Sequence, residues 1–314
     1  MVSKEITPDF TYEVGRGDTP IRLDMFLAQK MGKFSRSQIQ KWIRKGHVLL
    51  DGKPTDPSEK VAPGQDVRVY IPAEELSLVA EKIPLDILFE DSEILVVNKA
   101  SGMVTHPARG NYTGTLANAV AHHLERGLTP KGSDPIPLRN PRPQLRPGIV
   151  HRLDKDTSGV LVIAKNRKTL DFLSKQFEKR TVEKVYRAVV QGVVTSKKGE
   201  IVGSIGKDYD RLCMAVTSGG RYARTDFKVL KKFPGHTYLE VYPKTGRTHQ
   251  IRVHLAKIGH PVLGDHIYSD IKVEAPRLML HAYSLSFQHP TTKKKVSFKA
   301  SLPADFRRSL DGLS

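Results

Sequence analysis

A polar stretch of nine residues, His151 to Gly159, holds the side chains best suited to chemistry in this chain. Within it two carboxylates, Asp154 and Asp156, alternate with basic side chains. The stretch lies between the breaker Pro147-Gly148 and the apolar run Val160 to Ile163, which predicts a turn that leads into a strand. Because a strand is a stiff platform, side chains in the preceding turn can be held firmly against a ligand.

The pair Asp154 and Asp156 is open to other interpretations. The spacing begins like a calcium loop, but the twelfth position, which requires a bidentate Glu, is Lys165, and this excludes such a site. A retaining glycosidase needs two carboxyl groups about 5 Å apart, which these two can approach, although nothing else indicates a sugar-polymer cleft. The aspartates can also accept hydrogen bonds from backbone N–H groups of their own turn. These residues alone leave the last two interpretations open.

A second polar motif runs from Lys244 to Leu255 and includes a glycine turn. Thr248 is a suitable N-cap and Gly259 a suitable stop, so the pattern predicts a helix from His249 to Ile258. Arg252 then lies one turn into that helix, near an N-terminus that favours anions. The motif therefore offers a cation that can face either a phosphate or a carboxylate.

The overall charge favours a polyanionic partner. Lys and Arg number 51 against 33 for Asp and Glu, which gives the 314-residue chain a formal net charge of +18. Such a field attracts nucleic acid through phosphate contacts and counterion release. Charge alone does not exclude a soluble protein that is simply basic. The length exceeds that of one average domain, so the first expectation is two domains.

Several classes of site and location are disfavoured. Cys213 is the only cysteine, so there is neither an internal disulfide nor a cysteine-based zinc cluster. His249 and His254 are five residues apart, which separates them on a helix, so we expect no metal site there. No apolar stretch approaches the roughly 20 residues that span a bilayer. The N-terminus lacks the apolar core of a signal peptide, so we expect a cytoplasmic protein with no membrane partner.

The N-terminal region contains a predicted helix with one strongly basic side. Ser35 and Gln38 have the spacing of a capping box, and Gly46 is a suitable C-terminal stop. The segment from Lys30 to Lys45 contains six basic residues and no acidic one. A charge run of this kind is most often a solvated helix face. If it binds RNA, the candidate contacts are Arg36, Lys41, Arg44 and Lys45.

From about residue 80 onward, short apolar runs alternate with turns. Strands outnumber helices and occur in runs, which favours an α+β fold with a mixed, mainly antiparallel sheet and flanking helices. No Gly-rich phosphate-binding sequence opens a helix, so a doubly wound nucleotide-binding fold is excluded. Residues 127–147 are rich in Pro, Arg, Lys and Gly and predict an exposed basic loop. The predicted strands are 94–97, 160–164, 186–193, 227–230 and 238–242, and the predicted helices are 116–124 and 169–177.

The motifs in this order resemble those of the RluA-type RNA pseudouridine synthases. His151 to Lys165 is similar to the central motif of that family, and Ile94 to Pro107 is similar to its opening motif, with Ala100 where the family usually has Pro. Lys184 to Ala188 resembles the tyrosine motif, and Thr245 to Leu255, continued by Gly259-His260-Pro261 and Gly264-Asp265, resembles the last.

The N-terminal region resembles a second known domain. Arg22 to Leu27, Ser35 to Gln38 and the hairpin at Asp51-Gly52-Lys53 are similar to an S4-like RNA-binding domain. An S4-like domain in front of the synthase is the arrangement of the RluD-like branch. The resemblance implies domains at residues 13–75 and 83–310, with a linker that begins at Pro72.

The resemblance implies isomerisation of uridine to pseudouridine in RNA, without metal or cofactor. Asp154 matches the catalytic aspartate, and Arg252 matches the arginine that pairs with it and keeps it ionised. Tyr186 matches the tyrosine that stacks on the target base. Arg152 matches the arginine that fills the space of the extruded base, since flipping a base costs a few kcal/mol of unstacking. Leu255 and Arg247 are the remaining candidates for substrate contact.

Two questions stay open on the sequence. Whether Asp154 attacks the sugar carbon, adds to the uracil or abstracts a sugar proton is not decided by residue types, nor is the role of His151. The resemblance favours large-subunit (23S) ribosomal RNA as the substrate, free or in pre-ribosomal particles, and a monomeric enzyme. Transfer RNA is the alternative substrate, and a non-catalytic RNA-binding protein of ribosome assembly is the alternative class.

Overall fold

The computed structural model describes residues 8–18, 21–32, 34–71, 78–107, 111–125, 148–209, 211, 213–269 and 275–313. The chain divides into two compact units. Of the described residues, those up to 78 form the first unit together with 107 and 111–112, and the others form the second. The linker predicted from Pro72 and the basic loop predicted at 127–147 lie outside the described residues.

The first unit combines two helices with a four-stranded antiparallel sheet in the order β1-β4-β2-β3. A short 3-10 helix, Arg16–Asp18, precedes the first α-helix. The elements are β1 (Phe10–Glu13), α1 (Leu23–Lys30), α2 (Arg36–Arg44), β2 (Val48–Leu50), β3 (Lys53–Pro54) and β4 (Asp66–Val69).

Helix α2 forms where local signals predicted it. The Ser35 hydroxyl accepts a hydrogen bond from the Gln38 N–H, and the Gln38 side-chain oxygen accepts one from the Ser35 N–H, which completes the capping box. The helix ends before Gly46, which adopts a φ of 73°. Its apolar stripe, including the fully buried Trp42, packs into the core of this unit.

The second unit is built on one ten-stranded sheet in the order β10-β9-β11-β12-β8-β13-β7-β6-β5, with β14 paired to β13. The strands are β5 (Ile87–Glu90), β6 (Ile94–Lys99), β7 (Ser158–Ala164), β8 (Glu183–Gln191), β9 (Lys198–Asp208), β10 (Cys213–Val216), β11 (Arg221–Phe233), β12 (His236–Pro243), β13 (Leu280–Gln288) and β14 (Lys295–Lys299). The helices are α3 (Leu116–Glu125), α4 (Arg167–Glu178), α5 (Gln250–Lys257) and α6 (Ala304–Asp311).

Among the described strand pairs, only β7 and β13 run parallel, so the predicted mixed, mainly antiparallel sheet is confirmed. This contact requires a glycine at Gly159, whose φ is 119° and where an added Cβ would lie 2.2 Å from the Ala282 carbonyl oxygen. The turn with Asp154 therefore enters the sheet beside β13. Strand β8, which carries Tyr186, flanks β13 on its other side.

The predicted strands and helices of the second unit are all present, with longer bounds for most of them, but several others were missed. Strand β9 escaped prediction because Gly199, Gly203 and Gly206 interrupt its apolar alternation. These glycines lie where neighbours approach closely: an added Cβ at Gly199 would be 2.7 Å from the ring of Phe227. Strand β13 was missed although most of its residues are buried, because His281, Ser284 and Ser286 interrupt its apolar residues.

Candidate active site

The turn that carries Asp154 is held by side chains from a segment about 50 residues earlier. The Thr105 hydroxyl donates to the Leu153 carbonyl at 2.7 Å, and the Ser101 hydroxyl donates to the Asp156 carbonyl at 2.7 Å. The ammonium group of Lys99 donates to the Lys155 carbonyl at 3.0 Å. These contacts fix the backbone on both sides of Asp154, which explains why the opening motif, Ile94 to Pro107, accompanies the central motif in the sequence.

Lys99 is the centre of this clamp. Its side chain is 1% exposed, and its ammonium group also donates to the carbonyls of Ala100 at 2.7 Å and Met103 at 2.8 Å. Burial lowers the pKa of Lys99 to about 7, against the opposing charges of Asp156 and Asp154. Three carbonyl acceptors match the three hydrogens of the ammonium group, so they compensate for its burial.

His151 is occupied within the protein. Its ring stacks on Phe177 with 4.6 Å between centroids, and its Nε2 accepts a hydrogen bond from the Val162 N–H at 3.1 Å. Burial, reinforced by the charge of Lys184, lowers the pKa of His151 to about 3, so the imidazole is neutral at pH 7. Its role in this structure is to fasten the turn onto β7 and α4.

The motif from Lys244 to Leu255 forms a turn followed by α5, but the prediction of Thr248 as the N-cap was wrong. The N-cap is His249 rather than Thr248, and it adopts a left-handed backbone with a φ of 54°. The turn is instead tied by Gln250, whose side-chain oxygen accepts from the Arg247 N–H at 3.0 Å and the Thr245 hydroxyl at 2.6 Å. Left-handed geometry is uncommon outside glycine and is often found at functional sites.

Arg252 faces two carboxylates rather than one. Its Nε and Nη2 donate to the two oxygens of Asp265 at 2.7 and 2.8 Å, whereas its Nη1 lies 3.8 Å from Oδ2 of Asp154. The other oxygen of Asp154, Oδ1, lies 4.0 Å from Nε2 of His249. Both distances exceed a hydrogen bond. The Asp154 carboxylate is thus flanked by an arginine and an imidazole while its lone pairs remain available.

Tyr186 lies on β8 and lines the same cavity as Asp154. Burial raises the pKa of the Tyr186 phenol, and the negative charge of Asp154 raises it further. The phenol is therefore neutral at pH 7. A neutral aromatic ring beside a carboxylate can stack on a base without competing for the charge on Asp154.

The cavity around Asp154 has a volume of about 710 Å³, large enough for a nucleotide. Burial, followed by the charge of Arg180, lowers the pKa of the lining residue Lys184 to about 8. The wall is predominantly cationic, which suits phosphate groups. Its basic residues are Arg152, Arg180, Lys184, Arg221, Lys244, Arg247 and Arg252, against the acidic Asp154, Glu178 and Glu183.

Of the residues expected at the substrate, the structure gathers Asp154, Tyr186, Arg252, Arg152 and Arg247 around this cavity. Leu255 is not among them.

Leu255 is fully buried in the hydrophobic core and does not line the cavity, so the structure does not support the expected substrate contact. The residue one turn earlier, Ile251, lines the cavity instead. Asp265, although quoted within the last motif, was missed as a member of the site. The signal that could have identified it is the Gly264-Asp265 pair itself, since Gly264 has a φ of 77° and turns the chain sharply there.

The basic helix α2 of the first unit presents its charges unequally. Arg36 donates to the fully buried carboxylate of Asp24 at 3.0 and 3.1 Å, so its guanidinium is engaged within the protein. The side chains of Lys41, Arg44 and Lys45 are exposed. All four candidate RNA contacts are therefore exposed, and Arg36 is in addition bound to a buried carboxylate.

Among the described residues, no group of three or more His, Cys, Asp or Glu side chains could hold a metal ion. No helix in the described part of the chain has the length and apolar character needed to cross a membrane.

Two family models match this chain. The model described as RNA pseudouridylate synthase matches residues 93–257, which contain the Asp154 turn, Tyr186 and Arg252. The S4 domain model matches residues 21–67, which contain helix α2. The first unit therefore contains an S4 domain.

Curated relatives and solved structures agree with these matches. The ribosomal large subunit pseudouridine synthase D of Neisseria meningitidis serogroup A is 42% identical over 308 residues, covering 93% of this chain and 78% of that protein. The uncharacterized RNA pseudouridine synthase YlyB of Bacillus subtilis is 42% identical over 295 residues, covering 93% of this chain and 94% of that protein. The structure of human RNA Pseudouridylate Synthase Domain Containing 1 covers 74% of this chain and 89% of that one, with 26% identity and a TM-score of 0.56. This chain belongs to the RNA pseudouridylate synthase family.

Proposed function

We propose that this protein converts uridines of large-subunit ribosomal RNA to pseudouridine, with Asp154 as the catalytic carboxylate. The observation that carries the proposal is the Asp154 carboxylate in a predominantly basic cavity, flanked by Arg252 and His249 and accompanied by Tyr186. The choice of RNA rests on the similarity to the Neisseria relative named for the large ribosomal subunit.

The reaction is a balanced isomerisation. The bond between uracil N1 and the ribose C1′ breaks, the base turns, and a new bond joins C5 to C1′. The C5 hydrogen leaves as a proton and N1 gains one, so no electron or group donor is required. Asp154 supplies the reactive oxygen in this proposal, and no direct hydrogen bond from the described residues occupies that oxygen.

The remaining cavity residues are proposed to hold the flipped nucleotide. Tyr186 offers an aromatic face for the uracil, and Arg247 at the wall offers a charge for phosphate. Arg152, exposed and two residues before Asp154, is placed to occupy the gap left in the RNA. In this proposal residues 13–75 form the RNA-binding S4-like domain, through Lys41, Arg44 and Lys45, and residues 83–310 form the synthase domain.

The proposal includes a cytoplasmic monomer that acts on ribosomal RNA, free or in an assembling particle. The test is release of tritium from uridines labelled at C5, in transcripts of large-subunit ribosomal RNA and of transfer RNA. We expect release from the ribosomal transcript by the wild type. Release only from transfer RNA would contradict the proposed substrate, and free uracil in place of pseudouridine would contradict the reaction. Parallel assays on immature ribosomal particles identify the form of RNA that is used.

Two variants of the same turn test the role of Asp154. Asp154→Asn keeps the side-chain shape and should abolish release while RNA affinity stays within about threefold, because the reactive charge is lost but phosphate contacts remain. Asp156→Asn is the matched control: its side chain is exposed, lies outside the cavity lining and should retain most activity. Equal turnover by Asp154→Asn and wild type would overturn the assignment.

A further inference from the structure

The fully buried carboxylate of Asp265 is linked to the surroundings of Asp154 in two ways, through Arg252 and through the backbone at Tyr268. Its Oδ1 accepts the N–H groups of Ile267 and Tyr268 at 3.0 and 3.1 Å, in addition to Nη2 of Arg252, and its Oδ2 accepts Nε of Arg252. Hydrogen bonds from Arg252 outweigh the effect of burial and lower the pKa of Asp265, so the group is ionised. One anchor therefore fixes both an arginine and the backbone at Tyr268.

Tyr268 contacts both side chains that flank the Asp154 carboxylate, Arg252 and His249. The guanidinium of Arg252 lies 5.0 Å from the centroid of its ring, and its hydroxyl lies 2.7 Å from Nδ1 of His249. The same hydroxyl oxygen accepts the Met214 N–H at 3.1 Å. Since the Met214 N–H can only donate, Nδ1 of His249 is the acceptor that the described residues offer to the hydroxyl hydrogen, and we assign the bond in that direction.

This arrangement selects one tautomer of His249. Burial lowers the pKa of His249, against the charge of Asp154, so the ring is neutral at pH 7. With Nδ1 accepting from Tyr268, the ring hydrogen resides on Nε2, the nitrogen 4.0 Å from Oδ1 of Asp154. The left-handed backbone of His249 turns the ring to this position and costs conformational free energy.

We infer that His249 is a positioning residue for Asp154, with its Nε2–H facing Oδ1 and its orientation set by Tyr268 and Asp265. Arg252 lies beside the opposite oxygen, so each carboxylate oxygen faces one N–H group, at 4.0 Å from His249 and 3.8 Å from Arg252. The inference rests on the proposed function, because it concerns how that reaction's carboxylate is oriented. The charged and titratable groups facing His249 are Asp154, Arg252, Asp265, Arg152 and Tyr268.

The first test removes a single hydroxyl. Tyr268→Phe keeps the ring beside Arg252 but removes the donor that selects the His249 tautomer. We expect the single-turnover rate constant at saturating RNA to fall about tenfold while the dissociation constant for RNA changes less than about twofold. Tyr209→Phe is the matched control, since Tyr209 is 75% exposed and lies outside this network. Thermal unfolding of each variant establishes that the fold is intact.

The second test is a double-mutant cycle between Tyr268→Phe and His249→Ala. If Tyr268 acts through His249, the rate loss caused by Tyr268→Phe is much smaller in the His249→Ala background than in the wild type. The Met214 N–H loses its acceptor in both backgrounds, so that effect cancels from the difference between the two losses. Rate losses that multiply, or a Tyr268→Phe variant with the wild-type rate, would overturn the inference while leaving the proposed function intact. A wild type that forms no pseudouridine would instead contradict the proposed function, and the inference with it.

Discussion

Each unit of this protein contains a fully buried aspartate that accepts hydrogen bonds from arginine, and the two differ in how far those arginines are exposed to solvent. Asp24 in the first unit receives hydrogen bonds from Arg22, Arg36 and Gln40, and the two arginine side chains are 41% and 49% exposed. Asp265 in the second unit binds Arg252, whose side chain is 7% exposed.

The difference in exposure separates an ordered surface from an ordered site. The guanidinium groups around Asp24 end in water, so they shape a basic helix face and can be rehydrated if the carboxylate is lost. Arg252 is enclosed, and its third nitrogen faces a second carboxylate, Asp154. A buried charge has few alternative partners, so its geometry is transmitted to its neighbour rather than dispersed in solvent.

The largest expected effect is on stability when either carboxylate is removed. Asp265→Ala leaves Arg252 buried without its partner and should destabilise the second unit by about 3 to 5 kcal/mol. Asp24→Ala should cost only about 1 to 2 kcal/mol, because the arginines left behind are hydrated. Trp42, the only tryptophan, is buried in the first unit and reports its unfolding by fluorescence. Hydrogen exchange of the amides of β8 and β12 reports the unfolding of the second unit. Equal losses of stability in the two variants would contradict the proposed difference between the two aspartates.

Exchanging arginine for lysine at both places tests whether fork geometry matters more at the site. Arg252→Lys keeps the charge but loses the two-point contact with Asp265, so turnover should fall about 100-fold with RNA affinity little changed. Arg36→Lys should leave turnover unchanged and lower RNA affinity by less than about threefold. Single-turnover rates and filter binding measure both. Similar losses of turnover in the two variants would mean that the surface network also supports catalysis.

Acid should weaken the first unit through Asp24. Burial alone would raise the pKa of this carboxyl, but hydrogen bonds from Arg22, Gln40 and Arg36 outweigh it and lower the pKa to about 2. A lowered pKa stabilises the folded state above the unfolded value of 3.8. After screening by water around the exposed arginines, this contribution is about 1 kcal/mol, and it is lost as pH falls from about 4 to 2. Urea unfolding followed by Trp42 fluorescence at several pH values measures the loss. Asp24→Asn should remove this share, and an unchanged acid dependence would contradict it.

The smallest effects are expected at the exposed cations of α2. Lys41→Ala and Arg44→Ala should each weaken RNA binding a few-fold and reduce the slope of log affinity against log salt by roughly one. Affinity of the wild type should itself fall steeply between low and moderate salt. Lys168→Ala, an exposed cation of α4 in the other unit, is the control for charge alone. If the salt-dependence slope changed equally in the control and in the α2 variants, the basic helix would not be part of the RNA interface.

Local features of the chain were predictable because they depend on a few adjacent residues. The capping box at Ser35 and Gln38, the buried stripe with Trp42 and the stop at Gly46 all appeared as expected. The α+β class followed from the order of apolar runs and turns. The family followed from four motifs in a fixed order, and the comparisons confirm it.

What the sequence determined by itself was the set of parts: a carboxylate in a turn before a strand, an arginine one turn into a helix, and a basic helix in front. Tertiary structure alone decided how they meet. Lys99 reaches the Asp154 turn across 56 residues, and Leu255 is turned into the core. Asp265 takes the fork of Arg252. The reason is physical: turns and caps are set by neighbouring dihedral angles, whereas a buried charge finds its partner only when distant strands have paired and excluded water.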